Sequence, residues 1–378
     1  MDVARAPTRS LAWIQALRGI AALMVVACHL RVNFIGTAWQ NWTDTHLVVG
    51  AMGVDLFFMV SGFIMVYTTR NAPDTGRYAV GFLIKRFARI WPVYAIVVLI
   101  TIVPIELFDL TMPGLPPRGI GDVIKSLLFA PVDPRKPMYY DLPYPVGWTL
   151  NFEVYFYVVF GASLLAGKAR WLVFFGWMAA TLAVLPYILS GTVSMDPLHD
   201  YRMPFSYLDL MTNSIIWEFV VGVIVGMTFL GKWRLGPPSL GWILVLVATV
   251  FALWWPLSLH TVLFHGITRW GWPLAVAFML MALSFKHREP QVPKVLTWLG
   301  SVSFSLYLVH FYVLIAARVV AGKLGFANAI PTVPFCLFQV ALSLLLAEAS
   351  RRCLEDGLSE RVRARLLTLT PSQGRSAP

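Results

Sequence analysis

Apolar residues occur along the chain in blocks of about twenty, and short polar stretches separate the blocks. A block of this length is enough for one helix to cross the hydrocarbon core of a bilayer. The residue-by-residue alternation of a membrane β-barrel is absent, and helices are the other way to satisfy backbone groups in lipid. The pattern predicts an all-α, polytopic membrane helix bundle with about ten transmembrane helices: 12–32, 47–68, 90–108, 146–166, 170–190, 208–230, 239–258, 268–285, 296–318 and 331–350.

Composition agrees with an integral membrane protein and excludes an ordinary soluble one. Of the 378 residues, 58% are hydrophobic and only 13% are charged, and the mean hydropathy is +0.69. A soluble protein carries roughly twice this charged fraction. We therefore expect one integral membrane domain over 1–355 and a cytoplasmic C-terminal tail over 356–378, whose last residues, 371–378, are expected to be disordered.

The Lys and Arg residues orient the predicted helices. With the N- and C-termini in the cytoplasm, two thirds of the 30 Lys and Arg residues fall on the cytoplasmic side, as the positive-inside rule expects. The net charge of +11 therefore follows mostly from topology. It predicts affinity for anionic membrane lipids and gives no reason to expect nucleic acid as a partner.

Seven ionisable side chains fall inside the predicted spans, where they are costly and usually functional. Arg18 and His29 share the first span, three helical turns or about 16 Å apart. A guanidinium suits phosphate, and an imidazole suits proton transfer near neutral pH. The alternatives are an arginine reaching the interface and a histidine satisfied by a neighbouring helix. The seven residues are Arg18, His29, Asp55, Glu153, Glu218, His310 and Glu348.

Three cations precede the third predicted span in the segment FLIKRFARIWPVY. Lys85, Arg86 and Arg89 could hold the phosphates of a nucleotide-like donor, or they could equally anchor the topology. Asp55, in the segment GVDLFFMVSGFIM, could be a counter-ion for one of these arginines rather than a reacting group.

Polar side chains in two later spans are further candidates. Glu153 could transfer protons or orient an imidazole such as that of His29, or it could make a structural hydrogen bond between helices. Ser303, Tyr307 and His310 follow at steps of four and three, so they share one helix face. They could line the same cavity, or they could join helices by hydrogen bonds.

A metal centre is not expected, because the spans contain neither a His-x3-His nor a Glu-x2-His pair. The GxxxG motif at 222–226 is expected to pack helices together. The stretch IGDVIKSLLFA, in the outer segment 109–145, is amphipathic and could lie along the membrane interface.

Several of these segments together resemble the acyltransferase 3 family of integral membrane O-acyltransferases. Arg18 and His29 match its Arg-x10-His signature, and GVDLFFMVSGF, KRFARIWPVY, GWTLNFEVYFY and SFSLYLVH match its later blocks in order. The opening IQALRGIAALMVVACH is most similar to the exopolysaccharide-production branch, whose members are stand-alone acetyltransferases. The chain departs from the family's usual end, an acidic residue followed by basic-Pro, because Glu355 in CLEDGL has no Pro after it.

The resemblance implies a bacterial inner-membrane enzyme that moves an acyl group, most simply acetyl, from cytoplasmic acyl-CoA to a hydroxyl presented outside. The donor phosphates would contact Arg18, Lys85, Arg86 and Arg89, and His29 would take the hydroxyl proton with help from Glu153. An acyl-histidine intermediate remains an alternative. Acyl-CoA is then a substrate, and no cofactor is expected to stay bound.

The acceptor implied by the resemblance is an exopolysaccharide, another cell-surface glycan or a lipid-linked sugar. The sequence leaves open the acceptor hydroxyl, a succinyl or longer acyl group, a lipid or antibiotic acceptor, and a homo-oligomeric state. Two other classes also explain ionisable groups in the membrane: a polysaccharide or lipid-linked sugar exporter without acyl chemistry, and a scaffold for a polysaccharide synthase.

Overall fold

The computed structural model describes residues 11–107, 119–203, 205–233, 235–236, 238–258, 265–286 and 289–369. Within these ranges the secondary structure is helical and contains no strand. The predicted all-α class is therefore confirmed. The expected disorder of 371–378 lies outside the described residues.

Seven helical stretches of the described chain are long and apolar enough to cross a membrane, or eight if a pair bent by 43° is one span. The predicted spans 146–166 and 170–190 fall in one such stretch of 46 residues, which turns at Gly167, where φ is +55°. The predicted span 90–108 overlaps the helix Gly76–Leu107, which is not one of these seven stretches. The chain is thus a multi-pass membrane protein, while the count of ten and the side of each terminus stay predictions. The seven stretches are Ala12–Phe34, Gln40–Thr69, Pro145–Ser190, Ser239–Ser258, Ile267–Phe285, Lys294–Lys323 and Val333–Thr368.

The chain divides into two compact units. Unit 1 comprises Met1–Asn71 and Trp217–Phe304, and unit 2 comprises Ala72–Ile216 and Ser305–Pro378. The α-helices of unit 1 are α1 (Ala12–Leu30), α2 (Gln40–His46), α3 (Gly53–Thr69), α10 (Trp217–Leu230), α11 (Pro238–Ser258), α12 (Trp272–Phe285) and the first part of α13 (Lys294–Lys323). Those of unit 2 are α4 (Gly76–Leu107), α5 (Ile120–Leu127), α6 (Trp148–Ser163), α7 (Arg170–Ala179), α8 (Leu185–Ser190), α9 (Ser206–Thr212), the rest of α13, α14 (Val333–Ser350) and α15 (Glu360–Thr368).

An aromatic cluster forms the core at one end of unit 1. The indole of Trp13 on α1 is 3% exposed, and its ring lies 5.6 Å from Phe63 and from Phe285 and 5.9 Å from Phe278. Rings at these separations pack edge-on or tilted, which their quadrupoles favour. The cluster fixes α1, the helix that carries Arg18 and His29, against α3 and α12.

Glycines allow α3 and α10 to approach backbone to backbone. A Cβ atom at Gly222 would lie 2.0 Å from the carbonyl oxygen of Met59, and one at Gly62 would lie 2.2 Å from that of Phe219. A Cβ atom at Gly226 would lie 2.8 Å from Val66 Cβ. These contacts confirm that the GxxxG motif packs helices.

In unit 2, a short helix is fixed against α4. The amphipathic stretch predicted at IGDVIKSLLFA does form a helix, α5. The Tyr94 hydroxyl lies 2.6 Å from Ser126 Oγ, and Trp91 Nε1 donates to the carbonyl of Leu127 at 3.1 Å. These bonds hold the end of α5 on the α4 surface.

The C-terminal part of unit 2 continues α14 through a π-helical stretch, Arg351–Ser359, into α15. α15 packs against α4. Ser305 Oγ on α13 lies 2.5 Å from Glu355 Oε1 and 3.0 Å from Ser350 Oγ. The residue at which the chain departs from the family pattern is therefore hydrogen-bonded to a buried serine of α13.

Candidate active site

His29 sits in the last turn of α1, and its ring is hydrogen-bonded to the same helix. Its Nδ1 atom lies 2.9 Å from the carbonyl oxygen of Val25. A carbonyl only accepts hydrogen bonds, so Nδ1 carries the hydrogen and the lone pair of the neutral imidazole is on Nε2. This is the tautomer that a general base needs, with the second nitrogen fixed by its partner.

Arg18 lies three turns earlier on α1, as the spacing predicts. Its Nη1 donates to Gln15 Oε1 at 3.0 Å, one turn before it. Arg18 and His29 are each half-buried. One regular helix therefore holds a guanidinium and an imidazole at a fixed separation of about 16 Å along its axis.

Asp55 is fully buried in the first turn of α3, and its partners differ from the expected arginine. His265 Nδ1 lies 2.7 Å from Asp55 Oδ2, and the amide of Gly266 donates to Asp55 Oδ1 at 3.0 Å. Both carboxylate oxygens thus have partners inside unit 1. The interpretation of Asp55 as a counter-ion for Arg86 or Arg89 is therefore replaced by a pairing with histidine.

His265 is a functional candidate that sequence reasoning missed. It lies in the short stretch 259–267 between two predicted spans, so it is not one of the ionisable groups predicted to lie in lipid. The structure buries it and gives Gly266 a φ of +108°, which is open to glycine and strained for other residues. The sequence pair His-Gly ahead of an apolar span was the only local signal.

Glu153 belongs to unit 2, where a tyrosine one turn later on α6 binds it. The Tyr157 hydroxyl donates to Glu153 Oε1, and the guanidinium carbon of Arg86 lies 5.5 Å from the centre of the Tyr157 ring. Arg86 and Glu153 interact electrostatically, as do Arg89 and Tyr157.

The three cations of α4 are therefore not equivalent. The Lys85 side chain is exposed, and those of Arg86 and Arg89 are half-buried. Arg86 also lies over Phe82, at 5.3 Å from the ring centre, and contacts the interior of unit 2. Arg86 and Arg89 both interact electrostatically with Tyr157, and a donor-binding role for the three cations stays a prediction.

The three polar residues predicted to share a face of α13 make different bonds. The Tyr307 hydroxyl donates to the carbonyl of Val146 at 2.9 Å and lies 2.8 Å from Thr149 Oγ1. It also interacts electrostatically with Glu153. Tyr307 thus joins α13 to the start of α6, within one turn of Glu153.

Ser303 and His310 bond to their own helix. Ser303 Oγ donates to the carbonyl of Gly300 at 2.8 Å, and His310 Nδ1 lies 3.0 Å from the carbonyl of Leu306. Both side chains are fully buried. A role for them in a shared cavity stays a prediction.

The fold and these groups define a class: a multi-pass membrane protein that holds ionisable side chains, among them Arg18, His29, Asp55 and Glu153, in helices rich in apolar residues. The family model for an acyltransferase domain, acyltransferase 3, matches residues 11–348. The chain belongs to this family, and it is an acyltransferase enzyme. The resemblance inferred from the sequence motifs is thus confirmed.

Individual relatives are similar over most of the chain. The exopolysaccharide production protein ExoZ of Rhizobium meliloti is 32% identical over 86% of this chain and 95% of its own length. The acyltransferase MdmB of Streptomyces mycarofaciens is 27% identical over 83% and 82%. The peptidoglycan O-acetyltransferase OatA of Listeria monocytogenes is 24% identical over 90% of this chain and 54% of its own length. No solved structure matches the chain.

Proposed function

We propose that this enzyme transfers an acetyl group from acyl-CoA on the cytoplasmic side to a hydroxyl of an exopolysaccharide or related cell-surface glycan at the bacterial inner membrane. The glycan class is suggested by the similarity to ExoZ over nearly the whole length of both chains. The observation that carries the chemistry is the His29 ring, whose bond to Val25 leaves the lone pair on Nε2.

In the proposed reaction, the acceptor hydroxyl oxygen attacks the thioester carbonyl of the donor. The hydroxyl proton passes to His29 Nε2, the new C–O bond forms, the C–S bond breaks, and the coenzyme A thiolate leaves and takes up a proton. In the alternative, Nε2 attacks first and an acyl-histidine forms before the acceptor reacts. Incubation with labelled acetyl-CoA and no acceptor distinguishes the two, because only the second route labels His29.

The donor phosphates are proposed to bind the guanidinium and ammonium groups on the predicted cytoplasmic side. Arg18 suits this role because it lies three turns from His29 on α1, a spacing that matches an extended pantetheine arm. Lys85, Arg86 and Arg89 suit it because their side chains are not fully buried. Glu153 is proposed to assist, and its bond to Tyr157 supports this because that bond orients the carboxylate.

Acetyl content of the surface polysaccharide, measured by mass spectrometry, tests the proposal. The strains are a deletion, the deletion with wild-type protein, and the deletion with His29→Ala at equal membrane abundance. The matched control is His46→Ala, because His46 makes the same Nδ1 bond to a helix carbonyl, that of Trp42 at 2.8 Å, on an exposed surface.

We expect wild type and His46→Ala to restore acetate and His29→Ala not to. If the deletion strain exports polysaccharide with the same acetate content as the complemented strain, the proposal that a glycan is the acceptor is wrong. Failure of export with unchanged acetate would instead identify an exporter or a synthase scaffold.

A further inference from the structure

α3 and α10 run side by side in the same direction, and their contacts repeat every four residues. Gly222 meets Met59, and Gly226 lies four residues further along α10, where it meets Phe63 and Val66. The ring of Phe58 also stacks on that of Phe219, with centres 4.4 Å apart. This repeat fixes the two helices at the shortest separation that backbone atoms allow.

Four residues before the Met59–Gly222 contact, the facing positions of α3 and α10 both carry carboxyl groups. Four residues before Met59 is Asp55, and four before Gly222 is Glu218. Both side chains are 0% exposed, and the Glu218 carboxyl lies beside that of Asp55 and near the Gly266 amide. The close approach of the helices therefore forces two acidic groups together inside an apolar unit.

The two carboxyl groups are not equally satisfied. Asp55 accepts from the Gly266 amide at 3.0 Å and has His265 Nδ1 at 2.7 Å. Neither oxygen of Glu218 has a hydrogen-bond partner among the described residues. A Cβ atom added at Gly271 would lie 2.9 Å from Glu218 Oε1, so this side of the carboxyl group has no spare room.

Two adjacent carboxyl groups in a dry site cannot both be ionised, because they repel and neither is hydrated. We propose that Glu218 is a neutral carboxylic acid at neutral pH, and that Asp55, Glu218 and His265 together form a buried proton-binding site in unit 1. One proton stays on Glu218, beside Asp55 and its two partners.

The ligand proposed for this site is a proton. Among the described residues, no group of three or more His, Cys, Asp or Glu side chains is arranged to hold a metal. The other titratable groups on the elements packed here are Arg269, which is exposed, Tyr67 on α3, and Arg18, Cys28 and His29 on α1. The inference does not depend on the acyl-transfer chemistry.

Infrared spectroscopy of purified protein tests the inference, because a protonated carboxyl group has a C=O stretch distinct from that of a carboxylate. We expect the difference spectrum between wild type and Glu218→Gln at neutral pH to contain one protonated carboxyl band. Asp55→Asn should keep this band, and Glu360→Gln, at an exposed glutamate paired with Arg363, should leave the spectrum unchanged.

A wild-type spectrum without a Glu218 band overturns the proposal. A band that vanishes when sodium or potassium is added would show a cation site instead. Glu218→Gln imitates the neutral acid and is expected to fold, so its failure to fold would also count against the proposal. Wild-type protein labelled with ¹³C-glutamate needs no variant, because the label moves the glutamate bands away from those of aspartate.

Thermal unfolding in detergent gives a second readout. The native state would bind one more proton than the unfolded state, so stability should fall as pH rises, by up to about tenfold in the unfolding equilibrium per pH unit. This dependence should be lost in Glu218→Gln over the range from about pH 5 to pH 8. An equal slope in both proteins contradicts the inference.

Discussion

The bond between Tyr157 and Glu153 is the contact in unit 2 whose removal can be measured most directly. Tyr157→Phe removes the phenolic oxygen and keeps the ring that lies against Arg86. A hydrogen bond to a charged group contributes about 1.5–3 kcal/mol. Since about 1.4 kcal/mol corresponds to tenfold in rate, we expect acetyl transfer to fall by about tenfold to about 150-fold.

The assay is the initial rate of transfer from labelled acetyl-CoA in membrane vesicles that contain equal amounts of each variant. The matched control is Tyr155→Phe, two residues away on α6. The Tyr155 hydroxyl accepts a hydrogen bond from Trp177 Nε1 at 2.9 Å, on an exposed side of the helix. The control removes the same atom and one hydrogen bond, but it leaves Glu153 and its neighbours intact.

We expect Tyr155→Phe to retain nearly the wild-type rate. A wild-type rate in Tyr157→Phe would refute the reasoning, because Glu153 would then need no orientation by the phenol. Equal losses in both variants would refute it too, since they would indicate a general effect of weakening α6. Unfolding midpoints of both variants, measured in detergent, distinguish a loss of orientation from a loss of folded protein.

Three further predictions concern other parts of the chain. Arg18→Ala should chiefly raise KM for acetyl-CoA, whereas His29→Ala should lower kcat by about 10²- to 10⁴-fold in folded protein, as steady-state kinetics in vesicles would show. Gly222→Ala should destabilise the protein by about 1–3 kcal/mol because its methyl group meets the Met59 carbonyl, measured as the shift in unfolding midpoint. Glu355→Ala should remove a bond worth about 1.5–3 kcal/mol from the buried Ser305 hydroxyl, whereas Glu355→Gln keeps an acceptor there.

Each of these has a result that contradicts it. Donor affinity that depends on His29 alone would reverse the proposed orientation of the donor along α1. Gly176→Ala is the control for Gly222→Ala, because a Cβ atom at Gly176 meets nothing within 4 Å. Equal shifts of the unfolding midpoint in the two variants would contradict the close contact between Gly222 and the Met59 carbonyl. Equal unfolding midpoints for Glu355→Ala and wild type would mean that the C-terminal stretch contributes nothing to α13.

The sequence was enough to predict the class of the protein and its helices. Inside a bilayer, no water is available to bind the backbone N–H and C=O groups of an apolar block of about twenty residues. A helix pairs these groups within the block itself. The signature residues Arg18 and His29 also followed from the sequence, because their separation is a property of one regular helix. Each of these features depends on residues that are close in sequence, so it can be predicted without knowing which helices pack together.

The partners of the ionisable groups required the tertiary structure. Asp55 and His265 are separated by 210 residues, and no periodicity relates them. The glycines of α10 bring Glu218 beside Asp55, and the packing of α4 on α6 places Arg86 against the Tyr157 ring. An ionisable side chain inside the membrane is normally paired with another polar group. The sequence shows that such a partner is needed, but the packing of helices distant in sequence determines which residue it is.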